Sequence, residues 1–198
     1  MSAFLGPIHN WLFEKIKFQE ALIQEIVQKN NAFELLRQTD EKYGKLEEGE
    51  LSDIIDKSNI HGWLQQRVSL VENRLAFIVF ALTNENEEKI KEIVEIAFDF
   101  GKKNSIAADN VSQAYKKIND LLLNGMPCDR VNNITQESED ILCFEETIDI
   151  HEKYWENIGA DAGYFYRIRN SVIMGMLNDS NIDFYEISKY KYELRKKI

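Results

Sequence analysis

Three histidines, His9, His61 and His151, each precede one of the chain's three tryptophans by two to four residues. Two of these pairs sit in matching pentapeptides, IHNWL from Ile8 and IHGWL from Ile60. Imidazole is the commonest metal-ligating side chain and the one whose ordinary pKa suits proton transfer near neutrality. Three such nitrogens around an ion, with one position left open, make the donor set of a catalytic zinc or a similar divalent metal. His9, His61 and His151 are therefore candidate metal ligands, and a divalent metal ion is the candidate cofactor. His9 and His61 each fall in the first turn of an expected helix, where the positive end of the helix dipole disfavours the charged ring and leaves a lone pair to offer. Two nitrogens on one ion would have to stand within about 5 Å of each other. No HxxxH or HExxH spacing fixes two ligands on one element, and the absence of Glu-x-x-His disfavours a ferritin-like di-iron centre.

A second chemistry is carried by Cys128 in NGMPCDRV, a candidate nucleophile beside Asp129 and Arg130 if a histidine reaches it. Cys143, within the apolar alternation ILCF, is expected to pack in the core. The two cysteines form no CxxC pair, which suits a reduced, cytoplasmic protein. Glu145, Glu146, Asp149 and Glu152 crowd His151 in sequence and could orient it. Tyr164, Phe165 and Tyr166 with Arg167 and Arg169 could hold a planar anion, although the core face of an amphipathic helix reads the same way. No GxGxxG, Walker A or GxSxG motif occurs, so nucleotide binding and α/β-hydrolase chemistry lack support.

These groups must be positioned by helices. The chain has 198 residues, only nine glycines and two prolines, and 44% hydrophobic residues, a balance that favours long helices around a sizeable core. Pro7 suits a first helical position, and Ile8, Leu12, Ile16, Leu22 and Ile26 predict a helix to about Asn30. A less regular helix follows over 33–45. Ile60, Leu64, Val68, Val71, Leu75, Ile78 and Leu82 step by three or four and predict a third, with Ser58 or Asn59 as its cap. Further helices are expected over 87–103 and from Asp109 or Asn110 to Leu123.

After Pro127 the texture changes: 131–137 and 141–148 read as a hairpin, 152–154 and 164–177 as helix, and NIDFYEISKYKYEL as one more strand. The expected fold is mainly α (α+β), a single domain. A helical bundle over 1–125 has parallel first and third long helices, and 126–198 forms an α+β part with a small antiparallel β element packed on it.

Ile8 to Val27 aligned with Ile60 to Val79 shares seven identities in twenty without a gap, by direct comparison of the two segments. In each pentapeptide Ile, Trp and Leu lie at i, i+3 and i+4, one face of a helix, and are expected to start the buried stripe. The histidine then lies about 100° around from it. In an up-and-down bundle the first and third helices run parallel, as diagonal neighbours, and bring His9 and His61 to one end.

The net charge of −10 excludes the basic footprint of a nucleic-acid-binding protein, and no apolar run approaches the ~18 residues of a membrane span. The N-terminus has no basic stretch followed by an apolar one. The order of TIDIHEKYW, YFYRIRNSVIMGML and IDFYEI resembles the closing segment of the L-2-amino-thiazoline-4-carboxylic acid hydrolase-like family, over about the last sixty residues. That resemblance implies small-molecule hydrolysis. Its members carry a cysteine where this chain runs Ile148 to His151, so no catalytic residue is carried over. The expectations are a protein that binds a metal or small ligand at the helix-start end of the bundle, a hydrolase using Cys128 or a histidine-activated water, or a non-catalytic interaction protein whose histidines are structural.

Overall fold

The computed structural model describes residues 5–84 and 86–197; the expected leader-free N-terminus and the connection through Glu85 fall in part outside them. Helix α1 spans Pro7–Lys29, α2 Phe33–Tyr43, α3 Leu51–Ile54, α4 Ile60–Asn84, α5 Lys89–Lys103 and α6 Val111–Leu121. A 3-10 turn at Pro127–Asp129 leads into strands β1 Asn132–Glu137 and β2 Ile141–Glu146. Helices α7 Glu152–Glu156 and α8 Gly163–Met176 and strands β3 Ile182–Ser188 and β4 Lys191–Lys196 complete the chain. The fold is mainly α with a small antiparallel sheet at the C-terminal end, as the periodicity predicts. No helix among the described residues is long and apolar enough to cross a membrane.

The long helices start where the sequence has caps. Pro7 occupies the first turn of α1 after an extended Gly6, and the Asn59 side chain accepts the Gly62 N–H at 3.2 Å to cap α4. α1 and α4 pack directly, side by side and in parallel. Their cross-helix contacts keep an almost constant offset: Phe13 on Trp63 with ring centroids 5.8 Å apart, His9 on His61, and Glu20 on Arg74. Only parallel helices in register give pairs separated by 50, 52 and 54 residues in sequence order. The expected diagonal arrangement is thus replaced by adjacency.

Arg74, 1% exposed, locks that register. Its guanidinium donates to both Glu20 carboxylate oxygens at 2.9 Å, to Asp40 at 2.7 Å and to the Gly44 carbonyl at 2.6 Å. Burial alone would lower the Arg74 pKa, but Glu20 and Asp40 outweigh it and raise it.

The expected single terminal strand is two. Tyr190, with φ 66°, turns the chain so that β3 and β4 pair antiparallel, and the sheet order is β1-β2-β4-β3. A turn made of Ser188, Lys189 and Tyr190 has no Gly, Pro or Asn to mark it. The inner sheet face, Leu142, Phe144, Phe184, Tyr192 and Leu194, is buried against α6 and α8. It joins the bundle core in one apolar cluster running through both parts of the chain.

α8 crosses α5 at unusually close range because Gly101 and Gly175 face each other. A Cβ on Gly175 would overlap the Phe98 carbonyl oxygen, and one on Gly101 the Val172 carbonyl. The neighbours are backbone and cannot step aside, so Gly175→Ala is expected to cost about 2–3 kcal/mol despite alanine's better helix propensity. Thermal unfolding should show a Tm lower by about 5–10 °C. An unchanged Tm would mean that the two helices sit farther apart than described.

Candidate functional site

The repeat's two copies are used differently. In the α4 copy Ile60, Trp63 and Leu64 are all buried, as expected. In the α1 copy only Leu12 is: Ile8 is 52% exposed and Trp11 half-buried, with its indole N–H donating to Asp120 at 3.0 Å. The residue that meets Trp63 is Phe13, so the buried face of α1 is rotated by about one residue relative to that of α4. His9 consequently lies on the buried face, 7% exposed, while His61 is exposed.

The imidazoles meet: Nε2 of His9 lies 3.3 Å from Nε2 of His61, with ring centroids 5.4 Å apart. His9 also closes its own helix start. Its amide N–H donates to the Gly6 carbonyl at 3.0 Å, and the Gly6 N–H donates to its Nδ1 at 2.9 Å. A ring nitrogen that accepts a backbone N–H carries no proton, so the His9 ring proton sits on Nε2. His9 is thus the donor of the pair and His61 the acceptor.

His151 is elsewhere. Its ring stacks on Phe165 with centroids 3.8 Å apart, and its Nε2 meets the Asn124 amide oxygen at 3.1 Å. Its Nδ1 lies 3.1 Å from a Glu72 carboxylate oxygen, an ion-pair separation without hydrogen-bond alignment. Glu72 follows His61 by three turns of α4, about 16 Å along its axis. The three-histidine metal site is therefore not assembled, and among the described residues no group of three or more His, Cys, Asp and Glu side chains could hold a metal ion. The tautomer of His9 argues the same way. A histidine bound to metal through Nε2 carries its proton on Nδ1 and donates it outward, whereas here Nδ1 faces a donor.

The carboxylates expected around His151 have other tasks. Asp149 accepts the backbone N–H groups of His151 and Glu152 at 2.9 Å and so starts α7. Glu146 pairs with Arg169, and Glu145 faces Lys191 at 3.6 Å. Phe165, Tyr166 and Arg169 are buried in the core, while Tyr164 is half-buried and Arg167 exposed, so the five do not form one anion platform. Burial would lower the Arg169 pKa, but Glu146 raises it, and burial pushes Tyr192 up to about 12.

These groups form one network that sequence spacing could not reveal. Asn124, held by His151, donates to Asn132 at 3.0 Å and to Glu146 at 3.4 Å, and Asn132 donates to Asn119 at 2.8 Å. The cavities beside it measure only about 20 and 30 Å³, room for a water or two. The network is a clamp on both ends of the 125–131 loop.

That loop closes a cleft of about 340 Å³ lined by Ile8, Leu12, Leu64, Met126 and Pro127, with His9, His61, Cys128 and Arg130 as its polar groups. The cleft is mostly apolar and of small-ligand size. Cys128 is exposed there, and its thiol is 4.0 Å from the Asp129 carboxylate and makes no hydrogen bond to either imidazole. Cys143, expected in the core, is half-buried; burial and then Glu193 push its thiol pKa up. A larger recess of about 730 Å³ beside α1 and α2 is lined by Glu20, Asp40, Lys45 and Glu47, whose charges are paired with Arg74, with one another or with Arg67, and by Glu48 and Glu50, which form no ion pair among the described residues.

No family model, curated protein or solved structure matches the chain.

Removing the His151 ring would leave the buried Glu72 carboxylate facing a cavity and the Asn124 amide oxygen without its partner. His151→Ala is expected to cost about 3–5 kcal/mol, the range for deleting a fully buried ring, and to lower Tm by about 10 °C. A loss under ~1 kcal/mol in denaturant unfolding would contradict the clamp.

Proposed function

We propose that this protein binds a small ligand in the cleft at the helix-start end of the bundle, with His9 and His61 as its polar floor. The observation that carries the reading is the opening of two paired imidazoles into a mostly apolar, ligand-sized cleft. Convergent polar groups on apolar walls are the usual make-up of a ligand site. The buried clamp supports it too, because it holds in place the loop that forms the cleft's far wall.

Binding without turnover is favoured over hydrolysis by Cys128. A thiol nucleophile needs a base that removes its proton, and the hydrogen-bond partner of this thiol is a carboxylate on the next residue. The metal form of the reading is disfavoured by the His9 tautomer.

The test is methyl-detected NMR on protein labelled at Ile, Leu and Met, titrated with a panel of small organic acids, alcohols and amines. At least one compound class should give saturable shifts concentrated at Ile8, Leu12, Leu64 and Met126. Ile8 is exposed, so Ile8→Trp can fill the cleft without entering the core; it should abolish those shifts with Tm within about 2 °C of wild type. Shifts that survive Ile8→Trp, or none at these methyls, would overturn the reading.

A further inference from the structure

The cleft has a polarity that narrows what it takes. His9 presents Nε2–H, because Gly6 fixes the tautomer from the other side of the ring. His61, which accepts that proton, is exposed, and its Nδ1 makes no hydrogen bond among the described residues. A ligand that takes the His9 donor must displace this exposed ring.

Arg130 adds a cation. It is exposed, it lines the cleft, and its guanidinium makes no ion pair or hydrogen bond with the described residues. In a chain of net charge −10, with most of its other arginines matched to carboxylates, a free guanidinium at a cleft mouth stands out. The backbone holds it there in the left-handed region, φ 48° and ψ 46°, straight after the Pro127–Asp129 turn.

Parallel packing brings the positive ends of two long helix dipoles to this corner, and neither α1 nor α4 has an acidic residue in its first turn. Asp129, the carboxylate nearest in sequence, is occupied by the Met126 N–H at 2.8 Å. His9 and Arg130 thus bring a donor and a cation to the lining of one cleft, and Ile8, Leu12, Leu64 and Met126 form its apolar walls.

We infer that the ligand is a small monocarboxylate with an apolar tail, its carboxylate held by the His9 Nε2–H and the Arg130 guanidinium and its tail on Ile8, Leu12, Leu64 and Met126. The inference rests on the ligand-binding reading above and adds the chemical class. Arginine offers a carboxylate two parallel N–H bonds, and such charge-assisted bonds are the strong ones. An alcohol of the same length can use the walls but not the fork. An amine would meet like charge.

Isothermal titration of the full chain with hexanoate, hexanol and hexylamine separates these cases. Hexanoate is expected to bind at least about tenfold more tightly than hexanol, and hexylamine more weakly still. Arg130→Gln, at an exposed position, should bring hexanoate down to the level of hexanol, while Arg130→Lys keeps part of the preference. Hexanol binding as tightly as hexanoate, or hexanoate indifferent to Arg130→Gln, would overturn the carboxylate assignment and leave cleft binding standing. No binding by any of the three would overturn it as well. If cleft methyls also failed to shift with every member of the wider panel, the ligand-binding reading would fall with it.

Discussion

The parallel, in-register contact of α1 with α4 is the constraint on which the rest of the molecule depends. Parallel neighbours set their dipoles unfavourably and need a long return connection, so something must hold them. Arg74 does so, reaching from α4 to Glu20 on α1 and to Asp40 and Gly44 at the end of α2. A buried guanidinium is costly to desolvate, and it is tolerated here because its donors find two carboxylates and a carbonyl. Fixing Glu20 opposite Arg74 fixes Phe13 on Trp63 one end further along, and then His9 on His61 at the helix starts. The imidazole pair is thus a consequence of packing set by residues three to four turns away.

The second constraint is the polar clamp inside the C-terminal part. Asn124 and Asn132 stand just before and just after the loop that carries Cys128 and Arg130, and they are bonded to each other. His151 at the start of α7, Glu146 on β2 and Arg169 on α8 secure that contact. His151 therefore serves the cleft at a distance, as a positioning residue, and is no part of its lining. One apolar wall comes from the bundle, the other from the loop, and each is held by its own buried charge cluster.

The long helices were legible because their apolar residues repeat at three and four, most regularly in Ile60 to Leu82, and their ends carry Pro7, Asn59 and Asn110; the four-residue α3 was not, being too short for such a repeat. The β1-β2 hairpin was legible from its alternation. The β3-β4 turn was not, because Tyr190 adopts a positive φ without any residue type that advertises it. Within the site, the placing of His9 and His61 at one end of the bundle could be anticipated from the repeated pentapeptide, but not the direct packing of α1 on α4 that lets the rings meet. The rotation that buries His9 and exposes Ile8 could not, since it depends on Phe13 displacing Trp11 as the partner of Trp63. The Glu72 carboxylate that faces His151 comes from a helix 79 residues earlier in the chain, a pairing that only the tertiary fold defines.

Packing of α1 on α4 brings the two imidazoles together with a fixed sense of hydrogen bonding. Long-range proton–nitrogen NMR correlations of the histidine rings test it most directly, since they report the tautomer of each ring and, with cross-ring nuclear Overhauser effects, their proximity. His9 should carry its proton on Nε2, His61 should accept at Nε2, and Overhauser contacts should connect the two rings. A His9 ring protonated on Nδ1, or rings without mutual contacts, would contradict it.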